Sequence, residues 1–209
     1  MYRSLLPVVG VVLSVSLLVV TGCIGLQQPS RFYVLSAQPS VDTTSPVVRA
    51  ERSPAIGLGP LTLPKYLDRP QIVTRTSPYE LTFAEFDRWA EPLEANVLRT
   101  LAEHLSRQIP TDRIALFPWP RATPIDYQVA VEVTECYGQT EGQSSLVALW
   151  SIFNGEGKEA LVSRRSRFTA PAGTQEYGAM VAAMSQTVAD LSREIAVALS
   201  TLATHTAAR

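Results

Sequence analysis

The clearest hydrophobic pattern in the chain is an apolar stripe that recurs at three- and four-residue spacing in two places. The first stripe predicts a helix from about Asp87 to Ile109, which Pro110 ends. The second begins at Tyr177 and continues to Leu202, so it predicts a long C-terminal helix. The second stripe indicates a helix packed on the sheet, and a partner-binding seam is the alternative.

Strand patterns lie between the two stripes. Residues 125–133 alternate apolar and polar, which predicts a half-buried strand, whereas residues 145–153 are apolar on both faces, as in an inner strand. A strong turn signal at residues 154–157 then leads into a returning strand at residues 160–168. These three strands are therefore expected to form an antiparallel meander.

Shorter strand candidates fill the rest of the chain, and residues 36–54 lack any periodicity and are predicted to be a loop. The candidates are residues 31–35, residues 55–63 with an interruption at Gly59-Pro60, a hairpin of residues 71–75 and 79–83, and residues 113–119. Residues 63–70, which lie between these strands, are predicted to be a turn or one helical turn. The pattern predicts a single α/β domain over residues 31–205, with a mixed, partly antiparallel sheet and two long helices.

The N-terminus follows a different pattern. Arg3 precedes an apolar stretch from Leu5 to Val20, which is shorter than the roughly 20 residues that a membrane-spanning helix needs. The stretch ends in Val-Thr-Gly-Cys, a bacterial lipobox, so residues 1–22 are predicted to be a lipoprotein signal peptide. Cys23 would then carry diacylglycerol and an N-acyl chain as a stable membrane anchor. An uncleaved signal with an incidental cysteine is the alternative.

The residues after the anchor suggest where it resides. Ile24 stands where an inner-membrane retention signal would place an aspartate, which favours the outer membrane with the domain on its periplasmic face. Residues 23–30 would form a lipidated tether. Cys136 is then the one remaining thiol, and its position late in a strand pattern predicts that it is buried and inert.

Composition and charge exclude several functions. The 209 residues are 46% hydrophobic and 18% charged, which argues against a disordered chain. The formal charge of −1 gives no basic excess for binding nucleic acid. Neither His104 nor His205 has metal-ligand spacing or a nearby nucleophile, and no phosphate loop or nucleophile elbow is found. We therefore predict no catalytic residue, no metal and no cofactor other than the acyl chains.

Two surface patterns allow a functional and a structural interpretation. Arg164, Arg165 and Arg167 crowd one predicted strand; they could bind an anionic headgroup or an acidic partner, but protection of an edge strand is favoured. Three aromatic residues precede the first helix, namely Phe83, Phe86 and Trp89. They are expected to fix the helix on the sheet rather than to line a ligand groove.

Two longer strings carry a family resemblance. The sequence LPKYLDRPQIVTR occupies residues 63–75 and FDRWAEPL occupies residues 86–93. Together with the lipobox, the GLGP string at residues 57–60 and the VALW strand at residues 147–150, they resemble the PqiC/YmbA family of ABC-type transport auxiliary lipoproteins. The resemblance spans nearly the whole mature chain.

The resemblance implies a three-layer α/β sandwich and a non-enzymatic lipoprotein on the outer membrane. Such a protein would dock on an MCE-domain (PqiB-like) protein that carries lipid across the envelope, and it could assemble as a homo-oligomeric ring. The motif residues either form an interface or hold the fold, and both interpretations carry equal weight. The motif residues of interest are Pro64, Tyr66, Arg69, Arg75, Arg88 and Trp89.

Two other functions stay open at this stage. A carrier lipoprotein would bind phospholipid in an apolar pocket of its own, which predicts a cavity of several hundred Å³. An envelope hydrolase would need a nucleophile paired with His104 or His205.

Overall fold

The computed structural model describes residues 28–37, 53–109, 111–139 and 141–207. Within these residues the chain forms eight strands and two helices. Their bounds, in chain order, are β1 Arg31–Tyr33, β2 Ile56–Thr62, β3 Gln71–Ser77, β4 Glu80–Trp89, α1 Leu93–Gln108, β5 Ile114–Leu116, β6 Tyr127–Gln139, β7 Gln143–Asn154, β8 Ala160–Pro171 and α2 Tyr177–Ala207.

Strand β6 is the centre of a single mixed sheet. On one edge it pairs antiparallel with β7, which in turn pairs antiparallel with β8. On the other edge it pairs parallel with β2 and, further along, parallel with β3. The sheet then continues from β3 to β4 and β1, and from β2 to β5.

The predicted meander is confirmed, and its turn explains why it forms. The side-chain oxygen of Asn154 accepts hydrogen bonds from the backbone N–H groups of Lys158 and Glu159 at 3.1 and 3.3 Å. Gly157 takes a positive φ of 70°, which a side chain would disfavour. Strands β7 and β8 consequently stay in register from Gln143 to Ile152.

Both apolar stripes pack as predicted. Helix α1 contacts β2 and β5, helix α2 contacts β6, β7 and β8, and the two helices contact each other. The stripe residues that are buried include Leu93, Val97, Leu101, Leu105, Val188, Leu191, Ile195 and Leu199. Cys136 is 1% exposed, in agreement with its predicted burial. The prediction of a single α/β domain with a mixed sheet and two long helices is thereby confirmed.

The predicted start of the first helix is wrong. The chain is still a strand at Asp87, because residues 87–89 pair with β1, and helix α1 begins only at Leu93 after Pro92. Phe83, Phe86 and Trp89 consequently belong to β4. The contact with β1 joins residues more than fifty positions apart, so the local apolar spacing could not reveal it.

Other predicted bounds differ less. The strand predicted at residues 113–119 has three residues, Ile114–Leu116, and β6 extends to Gln139. The interruption predicted at Gly59-Pro60 is confirmed as a shift of register between Leu58 and Leu61. The signal peptide, Cys23 and residues 38–52 of the predicted loop lie outside the described residues. Among the helices that are described, none combines the length and apolar character needed to cross a membrane.

Gly138 in β6 lets helix α2 approach the sheet closely. A Cβ atom at this position would lie 2.0 Å from Sδ and 2.4 Å from Cγ of Met180. Around the same methionine, Ser144 of β7 donates a hydrogen bond to its carbonyl at 3.0 Å, and the Thr74 hydroxyl of β3 lies 3.9 Å from its sulfur. Three strands and one helix therefore converge where only glycine fits.

We expect Gly138→Ala to lower the free energy of unfolding by about 1–3 kcal/mol, because the added methyl displaces the Met180 side chain from a packed core. In the background Met180→Ala the same substitution should cost less, since the clashing atoms are gone. Urea unfolding of the four variants of this cycle measures the difference.

Gly178→Ala is the matched control, because a Cβ atom there meets nothing within 4 Å. It should leave stability unchanged or raise it by up to about 1 kcal/mol, as expected for alanine in a helix. Equal losses for Gly138→Ala with and without Met180 would contradict the packing argument.

Candidate functional site

Two strands, β2 and β3, pair one after the other with the same edge of β6. The first motif string, residues 63–75, leaves the sheet between them. Pairing of β2 with β6 ends at Glu132, and pairing of β3 with β6 begins at Gly138. Along residues 133–137, β6 therefore has no strand partner on this edge among the described residues. The motif segment at residues 63–70 bridges the interval between the two strands.

Tyr66 satisfies one backbone group in this gap. Its hydroxyl donates a hydrogen bond of 2.9 Å to the carbonyl of Thr134. Thr134 is the extra residue of a β-bulge, because the register with β7 shifts between Val133 and Glu135. Pro64 starts the turn that positions the tyrosine, since its carbonyl accepts the N–H of Leu67 at 2.9 Å.

Beyond the bulge a chain of charged and aromatic groups crosses the sheet on the face opposite α2. Arg75 donates to the hydroxyl of Tyr137 at 2.6 Å, and its Cζ lies 4.8 Å from the centre of that ring. The Tyr137 hydroxyl donates to Glu135 at 2.6 Å. Arg167 of β8 completes the chain, because both of its terminal nitrogens lie 3.2 Å from the Glu135 carboxylate. Arg75 is thus bonded to β6 and, through Tyr137 and Glu135, linked to β8.

Burial and these contacts shift three pKa values. Burial and the hydrogen bond to Glu135 raise the pKa of Tyr137 to about 12. Burial likewise raises the pKa of Tyr66. For Glu135, burial opposes ionisation, but the hydrogen bonds from Tyr137 and Arg167 outweigh it and lower the pKa below its usual range. Glu135 is therefore ionised and both tyrosines are protonated at neutral pH.

The two motifs meet on the other side of the turn. The backbone N–H of Trp89 donates to the carbonyl of Pro70 at 2.7 Å. The guanidinium carbon of Arg69 lies 3.8 Å from the centre of the Phe83 ring, which is a cation–π contact. Gln71 pairs with Arg88 across β3 and β4. Strings more than ten residues apart in the chain thus form one continuous surface.

An open cleft of about 330 Å³ lies between the two motifs. Its lining residues all belong to the two strings and are Asp68, Arg69, Pro70, Trp89, Ala90, Glu91 and Pro92. One of the two carboxylates, that of Glu91, is paired with Arg99 at 2.6 Å. The cleft offers a cation held against a ring, an exposed carboxylate at Asp68 and the apolar surface of two exposed prolines, a mixture that suits a protein partner.

The six motif residues differ in their burial and contacts. Trp89 is 4% exposed and Tyr66 and Arg75 bond to β6, so these three hold the fold. Arg69 and Arg88 are only half-buried and remain available at the surface. Pro64 is half-buried in the turn. Their participation in an interface stays a prediction.

Sequence reasoning missed several residues of this region. Neither Glu135 nor Tyr137 carries a signal in the sequence pattern. Asp87 is 5% exposed and pairs with Arg31 at 2.8 Å, while the Tyr33 hydroxyl donates to the same oxygen at 2.8 Å. Only the pairing of distant strands brings these groups together, although a carboxylate inside an apolar strand pattern is itself a signal.

The remaining polar candidates have structural contacts. His104 is 5% exposed on α1, and burial together with Arg107 lowers its pKa. Arg164 lies against α2, 3.5 Å from Glu194 and 5.7 Å from the centre of the Trp150 ring. In the part of the chain that the structure describes, no group of three His, Cys, Asp or Glu side chains could hold a metal ion.

Glu135→Gln should destabilise the domain by about 1–2 kcal/mol at pH 7, because charge-assisted bonds to Tyr137 and Arg167 become neutral. The Glu135 pKa is depressed in the folded state, so its contribution is present at neutral pH and is lost as pH falls through the folded pKa. The difference between wild type and variant should therefore shrink between pH 5 and about pH 3. Urea unfolding at several pH values measures it.

Glu132→Gln is the matched control, since Glu132 lies exposed on the same strand. It should change stability by less than about 0.5 kcal/mol at every pH. A Glu135→Gln penalty that is constant with pH would show that the charge is not what stabilises the network.

Comparison with known proteins identifies the family. Residues 33–196 match the sequence model of the ABC-type transport auxiliary lipoprotein component. The chain is also 26% identical over 186 residues to the intermembrane transport lipoprotein PqiC of Escherichia coli (strain K12), which covers 87% of this chain and 95% of the relative. PqiC of Shigella flexneri matches to the same extent.

Solved structures share the fold. The crystal structure of protein XCC0632 from Xanthomonas campestris has a TM-score of 0.67 at 14% identity and covers 86% of this chain and 100% of its own. The crystal structure of an uncharacterised protein has a TM-score of 0.66 at 22% identity and covers 82% and 99%. Because the family model matches well over half of the sequence, the chain belongs to the PqiC/YmbA family of ABC-type transport auxiliary lipoproteins.

Proposed function

We propose that this protein is a non-enzymatic docking component of an MCE-type lipid transport system that supports envelope integrity. Cys23 would anchor it in the outer membrane through its acyl chains, with the folded domain in the periplasm. The family match and the lipobox support the lipoprotein and transport parts of this proposal. The name of the Escherichia coli relative, an intermembrane transport lipoprotein, supports a role between the two membranes.

The observation that carries the docking role is the cleft between residues 68–70 and 89–92. It is lined only by the two strings that set this sequence apart, and it opens to solvent. Tyr66 and Arg75 bond the first string to β6, whereas Arg69 and Asp68 of the cleft present charge to a partner. We propose that an MCE-domain protein binds here.

The cleft residues provide a direct test. Arg69→Glu should weaken binding of the purified MCE-domain protein at least about tenfold, because a partly buried arginine at an interface centre contributes about 2 kcal/mol or more. Asp68→Arg, at an exposed position of the same cleft, should weaken binding without affecting the Phe83 contact. Biolayer interferometry gives the affinities, and thermal unfolding verifies that each variant is folded.

Arg121→Glu is the matched control, since Arg121 is an exposed arginine in the loop between β5 and β6. It should leave the affinity unchanged. Unaltered binding by both cleft variants would refute docking at this cleft. Phospholipid retained in stoichiometric amount by the purified protein would indicate instead the lipid-carrier function.

Anchoring is tested separately. Cys23→Ser removes the thiol that accepts diacylglycerol, so the protein should lose radioactive palmitate labelling. It should then leave the outer-membrane fraction for the soluble periplasmic fraction, or remain as an uncleaved precursor in the inner membrane. Cys136→Ser should keep both the label and the fractionation, because that thiol is buried in the core. Outer-membrane recovery of unlabelled Cys23→Ser would contradict a lipid anchor.

A homo-oligomeric ring stays a prediction, which analytical ultracentrifugation can check.

A further inference from the structure

Two apolar side chains project to solvent where the folded domain begins. Phe32 is 64% exposed and Val34 is 48% exposed. Residues two apart in an extended segment share a face. Tyr33 points to the other side, where its hydroxyl bonds to the buried Asp87. The domain therefore presents a phenylalanine and a valine side by side to solvent at an edge of its sheet.

One positive charge lies beside this pair. Phe32 is directly opposite Arg88 in the pairing of β1 with β4, so these two side chains share a face. Arg31 lies instead on the side of Tyr33, where its Nε contacts Asp87 at 2.8 Å. Apolar side chains next to an arginine are typical of surfaces that lie in the headgroup region of a bilayer, where the apolar groups insert and the cation meets phosphate.

The length of chain between Cys23 and the folded domain limits how far β1 can lie from the membrane. Phe32 follows Cys23 by nine residues, and nine residues span at most about 30 Å. A folded domain of this size is about 40 Å across. The β1 end is therefore the part of the domain that an anchor at Cys23 keeps nearest to the bilayer.

We propose that the surface formed by Phe32, Val34 and Arg88 lies on the lipid headgroups of the membrane that holds Cys23. This inference rests on the proposed lipidation of Cys23. The contact supplements the acyl chains and fixes the orientation of the domain, because a second attachment point restricts rotation about the tether. The occupant is a phospholipid surface with anionic headgroups.

The test uses the mature lipidated protein in vesicles of phosphatidylethanolamine and phosphatidylglycerol. Phe32→Cys, Val34→Cys and Val197→Cys are each labelled with an environment-sensitive nitrobenzoxadiazole probe. Val197 on α2 is the matched control, because it is 62% exposed and apolar. Labelling is specific since Cys136 is buried and the Cys23 thiol carries lipid.

Nitroxide-labelled lipid should quench the probe at positions 32 and 34 at least about threefold more than at position 197. If the protein floats with the vesicles but the three positions are quenched equally, the proposed membrane contact of the β1 surface is overturned and the lipid anchor is not. Failure to float would overturn both the lipid anchor and the surface that rests on it. The probe at position 32 can also be measured in detergent at several protein concentrations. If its burial from water increases with protein concentration, a second copy covers this face, which would overturn the lipid contact.

Discussion

The backbone of β6 imposes the constraint on which the rest of the sheet depends. Twelve of its thirteen residues pair with β7 along one edge, but on the other edge β2 ends at Glu132 and β3 begins only at Gly138. Buried backbone groups between these points need partners, and leaving one unpaired costs about 1–3 kcal/mol. The Tyr66 hydroxyl supplies a partner at Thr134. The motif segment is thus conformationally fixed by the strand that it bridges, which explains how a loop can present a defined cleft.

The bulge at Thr134 decides which face of the sheet each later residue occupies. Before it, Val129, Val131 and Val133 are buried in the core. After it, Gly138 faces Met180 of α2, so Tyr137 points to the opposite face. Without the extra residue, the Arg75–Tyr137–Glu135–Arg167 chain could not form on that face. The one extra residue, Thr134, therefore determines both the register of β6 against β7 and whether Tyr137 can meet Arg75.

Local patterns predicted those parts of the fold that depend on neighbouring residues. The apolar stripes and the Asn154 turn predicted both helices and the meander, because each pattern repeats within one element. The predicted helix start at Asp87 is wrong because Asp87 pairs with Arg31 of β1, a residue distant in the chain. The bulge was equally inaccessible, since strict alternation stops at Val133 and no local signal fixes the register beyond it.

The motif strings could be recognised from the sequence, but which of their residues are buried could not. Trp89 and Arg88 are adjacent in the chain, yet the first is buried and the second half-buried. Neighbouring residues of a strand point to opposite faces, so the pairing of β1 with β4 determines which of them is core. A propensity scale applied to the string assigns no such difference. The structure shows which of these residues are buried, while their part in an interface stays a prediction.

The same strand connects the two proposed surfaces. Arg88 lies beside Phe32 on the face assigned to the membrane, and Trp89 lines the docking cleft from the next position in β4. A bilayer contact through Phe32 would therefore hold the cleft close to the headgroups. A partner that delivers lipid to the membrane would then meet the cleft within a few residues of its destination. A second attachment through the β1 surface is what would give this docking a direction.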